Sequence, residues 1–401
     1  MTLTVEDRVA ADGPAGRRCP SCGAAGMEPF YSVAGVPTNS CMLIRSRREA
    51  LAFPSGDLEL CLCGDCGFIV NARWEEGKTV YAAGYEETQG YSPTFNAFHR
   101  ALAQDVMARF GLQGARVLEI GCGKGEFLAL LVEEGAAEGI GYDPGFEPGR
   151  FGGHVAGKLQ VVPEYFHEGT LVDPGALVCC KMTLEHVYDV GRFLRHVRSV
   201  IGDRGSAVFF MVPDADRILD DAAFWDVYYE HVSYFTADAL AGLFVRTGFE
   251  PQEVWTGYGG QYLMIAARPV SGSGIPARID REALRRRARS FAAKAAEVRN
   301  GWKDRLAALH RAGKTVALWG SGSKAVSFLT TLGIREEVAM VTDINPNRHG
   351  YWLPTSGHPI VSPAELALAS PDVVIVVNPQ YREEVARDLA ALHCHPQILT
   401  L

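Results

Sequence analysis

The segment Tyr228-Tyr229-Glu230-His231-Val232-Ser233-Tyr234-Phe235 holds a proton acceptor, a carboxylate and phenolic hydroxyls within one short span. An imidazole can take a proton near neutral pH, and a nearby hydroxyl can steady the charge left behind. A second histidine lies in Lys181-Met182-Thr183-Leu184-Glu185-His186, directly after the apolar run Ala176-Leu177-Val178-Cys179-Cys180. His231, Glu230, Tyr228 and His186 are therefore the candidate proton-transfer set. The cysteines mark a different chemistry. Six of the ten precede residue 67, and four of these form two C-x2-C pairs, Cys19/Cys22 and Cys63/Cys66, each followed by a glycine. Two such turns complete a tetrahedral thiolate set suited to Zn²⁺, with no open position, so the expected role is structural. Cys41 and Cys61 are left over, and Cys61-Leu62-Cys63 has the wrong gap.

Two glycine loops suggest ligand sites. Glu119-Ile120-Gly121-Cys122-Gly123-Lys124-Gly125 follows one apolar run and opens a helical one. Glycine permits the tight turn and lets a ligand approach the backbone. Asp143 ends the next apolar run, where a carboxylate can accept hydrogen bonds from both hydroxyls of a ribose. Glu164, after a third run, is a candidate to flank an adenine. Gly320-Ser321-Gly322-Ser323-Lys324-Ala325, with Asp343 after the following run, fits G-x-G-x-x-A and read alone is a nicotinamide site, hence an oxidoreductase. The same loop could instead support phosphate through Lys324, Ser323 and backbone N–H groups, or serve packing alone.

The elements that must position these groups follow from the hydrophobic pattern. Apolar runs alternate with helical periodicity from residue 95 onward, which argues a parallel, doubly wound sheet. A helix at Ala237–Phe249 and a closing pair of strands end that unit. Val270–Ile279 is small and Gly/Ser-rich, a linker. One long helix then leads into a second α/β unit, and its arginine cluster, Arg281 to Arg289, is expected to be a solvated face. The divisions are 1–80 for a zinc-binding module, 81–270 for the first α/β domain and 271–401 for the second. At 401 residues, with 47% hydrophobic and 21% charged residues, this is a soluble, globular composition. A net charge of −8 argues against nucleic acid as partner. No apolar run approaches the ~18 residues of a membrane span, and the first residues lack an apolar signal core. A short disordered lead and a cytoplasmic protein are expected.

The form E-x-G-x-G-x-G resembles the first motif of class I methyltransferases, in which the amino-acid end of S-adenosylmethionine packs over the loop. The paired CxxC knuckles, Glu119–Gly125, the YxEHVSYF segment and the C-terminal GSGSKA, DINPNRHGYWLP and PDVVIVVNP stretches extend the likeness over nearly the whole chain. Together they resemble the C-methyltransferases of nucleotide-linked deoxy-4-ketosugars, the mycarose C3-methyltransferase type. The resemblance implies an α/β fold: zinc module, Rossmann-like methyltransferase domain, and a second Rossmann-like domain that helps hold the sugar nucleotide. It implies S-adenosylmethionine as methyl donor, bound by Glu119, Gly121, Gly123, Asp143 and Glu164. His231 would remove a proton beside a ketone, Glu230 would bond the sugar or orient that base, and Tyr228 and His186 would steady the enolate oxygen. Two departures stand out. Tyr229 occupies a position where the family often has histidine, and the family's site tyrosine falls on Tyr85 or Tyr91. A non-sugar metabolite methylated on carbon or oxygen is the nearest alternative.

Overall fold

The computed structural model describes residues 18–81, 84–146, 155 and 157–401; the expected disordered lead, up to residue 17, lies outside them. The first segment contains β1 (Met27–Pro37), α1 (Arg47–Leu51), β2 (Ser55–Cys63) and β3 (Ile69–Asn71). The central segment follows as α2 (Pro93–Phe110), β4 (Arg116–Ile120), α3 (Glu126–Glu133), β5 (Glu138–Tyr142), β6 (Leu159–Val162) and β7 (Leu177–Lys181). It continues through α4 (Val190–Ile201), β8 (Ala207–Pro213), α5 (Ala215–Asp220), β9 (Ser233–Tyr234), α6 (Ala237–Arg246), β10 (Phe249–Gly257) and β11 (Tyr262–Pro269).

Strands β4 to β8, β10 and β11 form a seven-stranded sheet in the order β10-β11-β8-β7-β4-β5-β6. Its β4–β8 part is parallel, and β8-β11-β10 is antiparallel, as the closing strand pair in the sequence led one to expect. The period-two alternation of the strands feeds two cores. Val117, Leu177, Cys179 and Phe209 pack with α2 and α3, while Leu118, Val178 and Phe210 pack with α4 and α6. A parallel sheet covered on both faces needs such apolar runs. Truncating the fully buried Leu194 of α4 to alanine would cost about 2–5 kcal/mol.

The last segment is α7 (Arg281–Arg311), β12 (Val316–Trp319), α8 (Ser323–Leu332), β13 (Met340–Thr342), β14 (Ile360–Val361), α9 (Pro363–Ala369), β15 (Val373–Val376), α10 (Arg382–Ala391) and β16 (Gln397–Thr400). Its five strands make an all-parallel sheet, β14-β13-β12-β15-β16. The arginines of α7 do not simply face water. Arg285 pairs with Glu28, Arg287 with Asp216 and Asp220, and Arg281 with Asp65, so the helix is tied to the first two segments. Phe291 of the same helix sits 5.0 Å from Tyr31 of β1, edge to face.

One pairing crosses the sequence divisions. The four-stranded sheet of the first segment runs β1-β2-β3-β9, and its last strand comes from residues 233–234. Ile69 pairs with Tyr234 and Val70 with Ser233, antiparallel. The turn carrying His231 is thereby hydrogen-bonded to the strand that follows the second cysteine pair; the sequence reading had made it a loop before a helix.

Candidate active site

The loops at the carboxyl ends of β4, β5 and β7 open into a cavity of about 610 Å³. Open α/β sheets bind ligands at this edge. Gly121, Gly123, Asp143, Lys181, His186 and His231 line one side, and Gly320, Ser323, Lys324, Asp343 and Arg348 line the other. Both glycine loops therefore face a single space.

At Gly121 φ is +68°, and an added Cβ would overlap the Thr183 side chain, so both backbone and space demand glycine there. Gly123, at φ +53°, would bring a Cβ to 2.8 Å from Glu87 Oε1. Asp143 lines the cavity with its carboxylate already held: Oδ2 accepts from Gly123 N at 2.8 Å and Oδ1 from Gly145 N at 2.7 Å. Each oxygen keeps a lone pair for a hydroxyl donor. Glu119 is buried with Oε2 unpartnered among the described residues, and burial raises its pKa to about 8. Glu164 differs from its expected place. It is exposed and does not line the cavity; its neighbours Tyr165 and Phe166 do, with Phe166 edge-on to Tyr142 at 5.6 Å. Side-chain direction past a strand end depends on turn geometry, which spacing alone does not supply.

At the far end, Tyr228 and His231 face the cavity with ring centroids 4.2 Å apart. His186, on the 3-10 turn Leu184–His186, stands edge to face with His231 at 4.8 Å. His186 Nδ1 lies 2.6 Å from the Tyr81 hydroxyl and 2.9 Å from the Glu230 carbonyl. His231 Nδ1 is buried without a hydrogen-bond partner among the described residues. Burial, reinforced by His186 and Lys324, holds the pKa of His231 well below the usual imidazole value, and burial lowers that of His186 to about 4. Both rings are neutral at pH 7, as a proton acceptor must be.

Glu230 turns away from the cavity lining. Asn39 Nδ2 donates to its Oε2 at 3.2 Å, Ser40 N donates to Oε1 at 3.2 Å, and the Ser40 hydroxyl also donates to Oε1. Burial raises its pKa to about 7 against these donors. The carboxylate thus anchors the turn to the first segment, and only its backbone carbonyl touches a site histidine. Tyr229 points into the core of that segment, accepting from Glu75 N at 2.9 Å, so the departure from histidine at this position does not alter the cavity wall.

Tyr85 and Tyr91 both line the cavity, Tyr85 bonded to the Glu230 carboxyl and Tyr91 accepting from Asn347 Nδ2 at 3.1 Å. Tyr81, which the sequence reading passed over, is the tyrosine on a site histidine. Lys324 lines the cavity and is already paired with Asp226, which also takes Arg217. The Ser323 hydroxyl lies 2.6 Å from Ser40 Oγ and can donate to it, since the Ser40 hydrogen goes to Glu230. Asp343 Oδ2 accepts from both the amide of Ser321, at 2.8 Å, and its hydroxyl, at 2.6 Å, so it braces its own loop.

The two cysteine pairs come together. Sγ of Cys19 lies 3.6 Å from that of Cys66, and Cys22 from Cys63 3.7 Å, with all four within 4.8 Å of one another. A tetrahedral zinc with bonds of about 2.3 Å needs sulfurs roughly 3.8 Å apart. The four thiols fit that ion.

Comparison with known proteins agrees with this architecture. Residues 95–254 match a family described as "Methyltransferase domain" and residues 281–395 one described as "C-methyltransferase C-terminal domain". The chain is 27% identical over 350 residues to C-methyltransferase NovU of Streptomyces niveus, covering 82% of this chain and 81% of that protein. Among solved structures, a Burkholderia thailandensis 1,6-didemethyltoxoflavin-N1-methyltransferase with bound S-adenosylhomocysteine is 18% identical, covering 45% of this chain and 83% of that one, at a TM-score of 0.35. A Mesorhizobium loti S-adenosylmethionine dependent methyltransferase is 17% identical, covering 42% and 97%, at 0.33. The chain is an S-adenosylmethionine-dependent methyltransferase that joins a methyltransferase domain to a C-methyltransferase C-terminal domain.

Proposed function

We propose that the protein methylates the carbon next to the ketone of a nucleotide-linked deoxy-4-ketosugar, in natural-product biosynthesis. The observation that carries this reading is the neutral His231 ring, with a free nitrogen, at the far end of the cavity that begins at Gly121, Gly123 and Asp143. The bound donor supplies a methyl group on a positively charged sulfur, ready for a carbon nucleophile. Asp143 would hold its ribose, with Glu119 and the loop around it. A C–H beside a carbonyl is acidic because its electron pair moves onto oxygen, and hydrogen bonds placed there lower the barrier. His231 would take that proton. Tyr228, and His186 backed by Tyr81, would steady the enolate oxygen, and the enolate carbon would take the methyl as the donor's sulfur keeps the electron pair of the broken S–C bond. Lys324, Ser323 and the loop after β12 would meet the nucleotide's phosphates, the carboxylate of Asp226 giving way. Tyr85 and Tyr91 would frame the sugar. Zinc on Cys19, Cys22, Cys63 and Cys66 would fix β3, hence β9 and the His231 turn. A cytoplasmic setting, which keeps thiols reduced, belongs to the same reading.

The test is product NMR with donor labelled with ¹³C at the methyl, offered a panel of nucleoside-diphosphate deoxy-4-ketosugars. The label should appear as a methyl on the carbon beside the carbonyl. Label on oxygen, or on none of the panel, would overturn the sugar reading.

A further inference from the structure

Glu185 has no place in the mechanism above, and its surroundings call for one. It stands between buried Leu184 and His186 on the 3-10 turn that follows β7, lines the cavity, and is 1% exposed. Neither carboxyl oxygen has a hydrogen-bond partner among the described residues. A buried polar group left unpaired costs roughly 1–3 kcal/mol, and such groups persist where they serve a function. One nitrogen of each histidine, His186 and His231, and one Glu185 oxygen lie within 4.8 Å of one another. Met182, three residues upstream, adopts a left-handed conformation (φ +53°), uncommon for a side chain with a Cβ. That bend leads out of β7 into the turn carrying Glu185 and His186.

The chemistry shows what is missing. When the C–H bond breaks, its electron pair forms the enolate and the proton sits on His231, creating an imidazolium in a buried wall. His186 and Lys324 already oppose positive charge there. Glu230 faces that charge poorly, since its carboxylate is engaged by Asn39 and Ser40. Among the described residues, Glu185 is the carboxylate that combines closeness with free oxygens. Resting on the reading of His231 as base, we propose that Glu185, when ionised, is the positioning partner that balances the imidazolium formed on His231. The proton leaves for solvent after the product departs.

Charge balance requires the ionised carboxylate, and burial raises the Glu185 pKa to about 8. Its own backbone amide and Lys181 at the end of β7 pull that value back; the other facing groups are Cys180 on β7, Tyr81 ahead of α2, Tyr262 on β11, and the two histidines. Proton removal should therefore speed up as pH rises through about 8.

The experiment reads the carbon–hydrogen step alone: loss of deuterium from the carbon beside the ketone of a nucleoside-diphosphate deoxy-4-ketosugar, without methyl donor, from pH 6 to 9.5. Wild type should lose deuterium faster as pH rises. Glu185→Gln should match wild type at pH 6.5 and fall behind at pH 9, by about a hundredfold. Glu185→Asp should recover part of the rise, and His231→Asn should abolish exchange throughout. Affinity for S-adenosylhomocysteine, unchanged within about threefold in Glu185→Gln, reports an intact fold, and a variant that fails this is replaced by Glu185→Met. If Glu185→Gln follows the wild-type profile, the role of Glu185 is overturned while the base survives. If wild type exchanges no ketosugar, the substrate reading fails and this inference with it.

Discussion

Replacing Asp226 by asparagine should destabilise the protein while tightening its hold on a nucleoside diphosphate. Asp226 is 4% exposed and pairs with both Arg217 and Lys324, whose side chains are 15% and 19% exposed. At an effective dielectric constant of about 20, two unit charges about 3 Å apart attract by roughly 5 kcal/mol. Desolvation of all three groups offsets much of that gain. Removing one partner still leaves uncompensated buried charge, which typically costs about 3–5 kcal/mol. Asparagine keeps the shape, so the loss is electrostatic rather than a cavity. With an m value of about 3 kcal/mol per molar urea, the unfolding midpoint should fall by roughly 1 M or more. Converting Lys324 to methionine in the same chain should recover part of the loss, because one stranded cation disappears. Calorimetry with a nucleoside diphosphate provides the second readout: two cations freed from a carboxylate should bind phosphate about tenfold more tightly, and added salt should erode the gain. A midpoint unchanged within about 0.2 M, with unchanged diphosphate affinity, would refute the reasoning.

Three further outcomes follow from particular contacts. Treatment with a zinc chelator, or Cys63→Ser with Cys66→Ser, should loosen β3 from β9; amide exchange at Val70 and Val232 to Tyr234 should rise before exchange in β4 or β7 changes. Gly121→Ala should raise the dissociation constant for S-adenosylhomocysteine at least tenfold, since a Cβ there meets Thr183 at a positive φ; near-normal affinity would contradict the packing argument. Buried His358 has its pKa lowered to about 4 from an ordinary value of 6.5, so its contribution to stability is complete above pH 6.5 and lost as pH falls toward 4. Urea titrations at pH 7 and pH 4.5 should therefore show His358→Gln losing less stability on acidification than wild type, by up to about 2–3 kcal/mol.

Much of this arrangement is written in local chemistry. The C-x2-C pairs announce a four-thiol cluster because a two-residue gap orients both sulfurs alike, and Gly121 and Gly123 announce a tight turn because glycine takes a positive φ without strain. The strand alternation yields the doubly wound sheet because buried parallel strands must be apolar on both faces. What escapes the sequence is non-local. Nothing in Ser233-Tyr234 says that it pairs with Ile69-Val70, more than 160 residues away, because register depends on tertiary placement. Asn39, Ser40 and Tyr81 are ordinary polar residues until the fold sets them beside Glu230 and His186. Glu164 and Tyr165 differ by one position, and only the turn decides which side chain faces the cavity. Asp226 and Glu185 carry no motif; partners from distant segments give them meaning.

The central claim, that His231 takes the proton from carbon, is tested most directly by chemical rescue. His231→Ala should lose methyl transfer by about 10²–10⁴-fold while still binding S-adenosylhomocysteine, and imidazoles added in solution should restore the rate in proportion to their basicity. Wild-type turnover in the alanine variant without any added base would contradict it.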